Sequence, residues 1–137
     1  MKNDDGKVII PGFYDGINIT NQVRSILKNI PSEEELIRNR TKIKSVDKVA
    51  ESYQESLQYP SLNIRGLQSG WVGSQVRTII PSTAQAEIDV RLVLESDPLR
   101  LINLIKNHIE SLGYKILNDE PNDKERLSNN KLVKMTY

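Results

Sequence analysis

The chain has 137 residues, 37% of them hydrophobic and only 5% aromatic, with 19 basic against 18 acidic side chains and no cysteine. That length fits one domain with a modest aliphatic core, and a net charge of +1 gives no pull toward nucleic acid or an anionic membrane. Disulfides, thiolate zinc sites and a cysteine nucleophile are excluded, no apolar run approaches the roughly 20 residues of a membrane span, and the N-terminus has no apolar signal core, so cytoplasmic residence is expected.

The chain divides at Tyr59-Pro60 into residues 1–58 and residues 59–137. In the first part, Lys7 to Pro11 (KVIIP) reads as a brief strand ended by proline, and Gly12 to Gly16 (GFYDG) as a turn. Val23, Ile26, Leu27 and Ile30 recur at helical spacing. Ser32 followed by Glu33, Glu34 and Glu35 reads as a capping box that opens a short helix through about Arg40. Ser45 is expected to open another helix, with Val46, Val49, Ala50, Tyr53 and Leu57 on one stripe, stopped by Pro60. These helices are thinly apolar and highly charged, as expected of a peripheral cover.

The second part is sheet and one strong helix. Leu62, Ile64 and, after Gly66, Leu67 alternate along a strand. Gly66, Gly70 and Gly73 punctuate a loop that carries Trp71, and Thr78 to Pro81 resumes extended structure at an edge or bulge. From Ala84 to Leu92 the alternation is strict. Ala84, Ala86, Ile88, Val90 and Leu92 face one way, and Gln85, Glu87, Asp89 and Arg91 the other, the pattern of a half-buried antiparallel strand. Pro98 and Gly113 bracket a helix capped by Ser96 or Asp97, with Leu101, Ile102, Ile105, Ile109 and Leu112 on its apolar stripe. Tyr114 to Leu117 is a further strand, Asn118 to Arg126 a polar loop, and Lys131 to Tyr137 a last alternating run. A strand that stops at the terminus points to a segment boundary.

The chemistry-bearing residues are few. A catalytic zinc ion takes three protein ligands, most often histidines, and His108 is the only histidine. Its place in LIKNHIESLG makes it a partly exposed residue near a helix C-terminus, where a positive charge is favourable. Asp4-Asp5 and the Glu33 to Glu35 run do not form a matched acid and base. On periodicity alone Arg91 is a solvated charge on the polar face of its strand.

Four pieces, in order and at matching separations, resemble a known family. They are Gly6 to Asp15 (GKVIIPGFYD), Tyr59 to Leu62 with the following N-x-R-G, Arg77 to Pro81 (RTIIP), and Val90 to Val93 (VRLV). Together they make the chain similar to the lid, or dimerisation, domain of the carnosinase-like zinc dipeptidases of the aminoacylase/carboxypeptidase metallopeptidase superfamily. The resemblance implies an α+β fold: a ferredoxin-like lid whose antiparallel sheet carries helices on one face, here lacking its first strand and helix and bearing an N-terminal helical extension. It also implies an absent catalytic domain holding two zinc ions and the general base, a dipeptide or small peptide as substrate, and a homodimer. This segment itself would hold no metal and no catalytic residue. Arg91 and Thr78 match lid positions that contact substrate. A guanidinium fork can bind a dipeptide's carboxylate bidentately, and a lid that closes excludes water.

Two other readings follow from the residues. A free-standing α+β interaction module would pair through a sheet edge or helix without catalysis. An RNA-binding sheet would need aromatic platforms and a basic face. The strand Ala84 to Leu92 carries no aromatic, and its polar face has two acids against one base.

Overall fold

A computed structural model describes residues 1–137. It has the α+β class expected. Three short helices, α1 (Asn21–Lys28), α2 (Glu34–Thr41) and α3 (Tyr53–Ser56), precede an antiparallel ribbon of β1 (Ser61–Ser69) and β2 (Ala84–Arg91). The long helix α4 (Pro98–Ser111) follows, then β3 (Lys115–Leu117), α5 (Asp123–Ser128) and β4 (Leu132–Lys134).

The ribbon is the scaffold. Its register pairs Leu62 with Val90, Ile64 with Ile88 and Leu67 with Ala86, so the apolar side chains share one face. A bulge between Ile64 and Gly66 leaves Arg65 as the extra residue, and Arg65 reaches Glu87 across the polar face at 3.0 Å. β3 and β4 form a separate parallel pair rather than extending the antiparallel sheet, with Ile116 opposite Val133. The reason is connectivity: the chain returns through α5, and such a crossover brings the second strand back in the same direction.

One small core unites the two parts of the chain. Val8, Ile10 and Phe13 pack with Leu62 of β1 and with Leu101 and Ile105 of α4. The Tyr14 hydroxyl accepts from the Val8 N–H at 2.8 Å, and its ring meets Phe13 and Tyr59 edge to face. Burial pushes the Tyr14 phenol above its ordinary pKa, while the hydrogen bond from Val8 works the other way. Only nine of 137 residues are buried, so most of the apolar surface remains uncovered. The far half of the ribbon shows this best: Ile64 is 62% exposed and Leu67 73%.

The helix α4 forms as its caps require. Asp97 accepts from the amides of Leu99 and Arg100, Pro98 opens the first turn, and Gly113 at φ +84 closes the last. Elsewhere the structure corrects the sequence reading. Lys7 to Pro11 is no strand but a single bridge from Val8 to Lys2 that runs into the Gly12 turn. Ser32 is not a capping-box residue: its Oγ accepts from Glu34, Glu33 takes the cap position without a side-chain bond, and α2 begins at Glu34. No helix starts at Ser45. Asp47 bonds Lys2 and the Lys48 amide bonds the Asp5 carbonyl, and these tertiary bonds hold the segment open until Ser52 caps α3. Residues 78–81 join no ladder. β2 is not half-buried along its length, because only its Val90 end reaches the core. The expected polar loop after Asn118 contains α5, set by a capping box in which Asn122 and Glu125 satisfy each other's backbone amides.

Candidate functional site

Arg91 is the last residue of β2, opposite Ser61. Strand alternation places it on the polar face beside Asp89, whose Oδ2 accepts from Arg91 Nε at 3.3 Å. The Arg91 side chain is 81% exposed, so its guanidinium is held loosely by one neighbour and open to solvent. A carboxylate arriving there would meet a planar fork of donors.

Thr78 lies elsewhere. It is exposed in the loop of residues 70–83 that joins β1 to β2. That loop leaves the ribbon at the Ser69–Ala84 pair, the end opposite Arg91. An eight-residue strand spans roughly 24 Å between its ends, whereas a dipeptide reaches about 7 Å. The structure therefore does not bring Arg91 and Thr78 together at one end of the ribbon.

The loop is closed at its neck. Ser69 Oγ donates to the Thr83 carbonyl at 3.1 Å. Gly70 has φ +63, and a Cβ there would sit 2.9 Å from Pro81 Cγ, so glycine is required by both backbone and space. Within the loop a short turn of 3-10 helix covers Gly73–Gln75, and the Arg77 guanidinium lies 4.8 Å from the Trp71 ring centroid. Sequence reasoning places Trp71 in a Gly-punctuated loop and Arg77 at the start of RTIIP, and gives neither side chain a role of its own. The available signal is that Arg77 is the one charge between Arg65 and Glu87.

A cleft lies in the N-terminal part, among Arg24, Lys28, Val49, Ala50, Glu51, Glu55 and Tyr59. The Arg24 guanidinium donates to the buried Glu55 carboxylate at 2.9 Å, and that hydrogen bond is the main cause raising the Arg24 pKa. It joins α1 to α3 and accounts for both charges structurally.

No three His, Asp or Glu side chains gather where they could hold a metal ion. His108 is in the last turn of α4, partly exposed. The donor set of this chain does not fit a zinc site. No helix is long and apolar enough to cross a membrane.

A family model described as the peptidase dimerisation domain matches residues 13–116. The chain is similar to the Beta-Ala-His dipeptidase of Mus musculus, 28% identical over 121 residues that cover 84% of this chain and 24% of the mouse protein. It is similar to the Cys-Gly metallodipeptidase of Saccharomyces cerevisiae, 27% identical over 121 residues, 86% of this chain and 25% of the yeast protein. Among solved structures it superposes on an M20 family metallo-carboxypeptidase from Sulfolobus solfataricus with a TM-score of 0.63 at 29% identity, covering 82% of this chain and 26% of that one. Human carnosine dipeptidase 1 shares the fold with a TM-score of 0.66 at 23% identity, covering 82% of this chain and 24% of the human one. The chain spans about a quarter of the length of the curated relatives it matches.

Proposed function

The chain belongs to the peptidase dimerisation domain family, and on that premise we propose that it is the lid of a metal-dependent dipeptidase, binding substrate and pairing subunits while hydrolysis takes place on another domain. The observation that carries this reading is the family match over residues 13–116. The printed names of the relatives, a Beta-Ala-His dipeptidase and a Cys-Gly metallodipeptidase, support a small peptide as substrate and metal chemistry in the parent. Residues 1–58 serve as a cover and residues 59–137 as the lid sheet and helix. Cytoplasmic residence belongs to the same reading.

Arg91 is the substrate-carboxylate partner in this proposal, and Thr78 donates its hydroxyl to substrate or to the developing oxyanion. Their placement at opposite ends of one ribbon favours a division between copies: a bound dipeptide meets Arg91 of one subunit and Thr78 of the other. A homodimer is what a dimerisation domain supplies. The uncovered apolar face of the ribbon supports packing against further protein.

Steady-state kinetics on the full-length enzyme test the reading. A charge-assisted contact contributes about 1.5–3 kcal/mol, so Arg91→Ala is expected to raise KM for a dipeptide about 10- to 100-fold. A KM that does not change removes Arg91 from the site. Hydrolysis of dipeptides by the 137-residue chain alone would overturn the division of labour.

A further inference from the structure

The exposed Arg91 side chain stands on a strand end that is fixed from beneath. Val90, the residue before it, pairs with the buried Leu62 and packs against the core. Alternation puts Asp89 and Arg91 together on the opposite, polar face. The bond from Arg91 Nε to Asp89 Oδ2 is the one hydrogen bond the guanidinium makes. Asp89 is the better covered of the two, 39% exposed, and Arg91 is the only cation paired with it. Asn63, opposite Asp89 across the ribbon, does not compete for this carboxylate. Its Nδ2 donates to Ser61 Oγ at 3.4 Å, and its Oδ1 accepts from Lys2 Nζ at 3.3 Å. A partner at Nε leaves every N–H of Nη1 and Nη2 without a protein acceptor. One N–H from each of these nitrogens makes the end-on pair that can take both oxygens of a carboxylate.

We infer that Asp89 is a positioning residue for Arg91: it tethers the guanidinium at Nε and so leaves the Nη1–Nη2 edge to the substrate. The inference rests on Arg91 as the substrate-carboxylate partner. An arginine side chain has among the largest rotamer entropies, and a ligand that must order it binds more weakly for doing so. A tether already made in the free enzyme removes part of that cost. Asp89 also offsets some of the positive charge that attracts the substrate. A carboxylate at Nε lies away from one held between Nη1 and Nη2, and at this exposed site solvent screens their repulsion, so the tether outweighs it. Because the pair is exposed, the effect of Asp89 is smaller than that of Arg91 itself.

Steady-state kinetics on the full-length enzyme test the role. Asp89→Ala is expected to raise KM for a dipeptide about 2- to 5-fold, the range of an exposed ion pair. The kcat should hold, because a carboxylate contact is made alike in ground and transition states. Asp89→Asn keeps an acceptor oxygen and is expected to recover most of the change. In the Arg91→Ala background, Asp89→Ala is expected to add nothing, since it acts only through the guanidinium. The Arg91 Nε–H cross-peak in heteronuclear NMR of the 137-residue chain reads the tether without any activity, and it is expected to move in Asp89→Ala. A KM that stays or falls in Asp89→Ala, a loss of kcat that Asp89→Asn shares, an equal penalty in the Arg91→Ala background, or an unmoved cross-peak would each overturn the positioning role and leave the Arg91 reading standing. An unchanged KM in Arg91→Ala would overturn both.

Discussion

The Arg100 Nη1 donates to the Gly12 carbonyl at 2.6 Å, and its Nη2 donates to the Asp15 carbonyl at 2.8 Å. One side chain of α4 thus fastens the turn that follows the buried Val8 and Ile10. Arg100→Ala is expected to lower stability by about 1.5–3 kcal/mol, the loss of charge-assisted bonds to two backbone carbonyls. Urea unfolding measures it, and an unchanged midpoint would show the latch to be dispensable. Arg100→Lys should recover only part of the loss, because an ammonium lacks the fork that spans two carbonyls.

Leu101 is 1% exposed on the same helix. Leu101→Ala removes a large share of a six-residue core and is expected to cost about 2–5 kcal/mol. With so little else buried, the variant should show a broad or absent thermal transition by circular dichroism. Leu94 is 97% exposed, and Leu94→Ala is expected to stay within about 0.5 kcal/mol of the parent.

Tyr14 gives the fold a dependence on alkaline pH. Its folded pKa is raised above the ordinary 10.0 by burial. Below that ordinary value both states keep the proton and its contribution is complete. As pH climbs through the raised folded pKa, the unfolded chain releases the proton first and stability falls. Urea midpoints from about pH 8 upward should therefore drop more steeply in the parent than in Tyr14→Phe. Parallel curves would remove Tyr14 from the effect.

The separation of Arg91 and Thr78 makes a complementation test possible in the full-length dimer. Arg91→Ala and Thr78→Ala homodimers are each expected to be strongly impaired. Random mixing gives half mixed dimers, and each mixed dimer has one site with both residues intact, so activity should return to about a quarter of the parent. Mixtures no more active than their components would place both residues in one subunit's site.

Much of this architecture is legible from local chemistry. The cap at Asp97, the proline that follows it and Gly113 define α4 within its own sequence, and the alternation from Ala84 defines β2. The departures share a cause. The stripe from Val46 to Leu57 has helical spacing, but Lys2 and the Asp5 carbonyl capture Asp47 and Lys48 from far away in the chain. The short α5 has no apolar stripe, and its signal is confined to the Asn122–Glu125 box. At the candidate site, alternation places Arg91 on its face. It cannot say that the loop bearing Thr78 leaves from the other end, because that depends on which residues pair across the ribbon.

The bulge at Arg65 gives β1 one spare residue. Ile64 and Leu67 share a face only because an additional position sits between Ile64 and Gly66. Removing Arg65 alone would leave a regular ladder with every remaining side chain on its present side. Removing a single residue from Leu67 to Ser69 while the bulge stays would instead exchange the inner and outer faces beyond that point. Length variation in this strand is therefore absorbed at the bulge and inverting beyond it, and the loop carrying Trp71, Arg77 and Thr78 is presented correctly when Leu67 to Ser69 keep their partners Ala86 to Ala84.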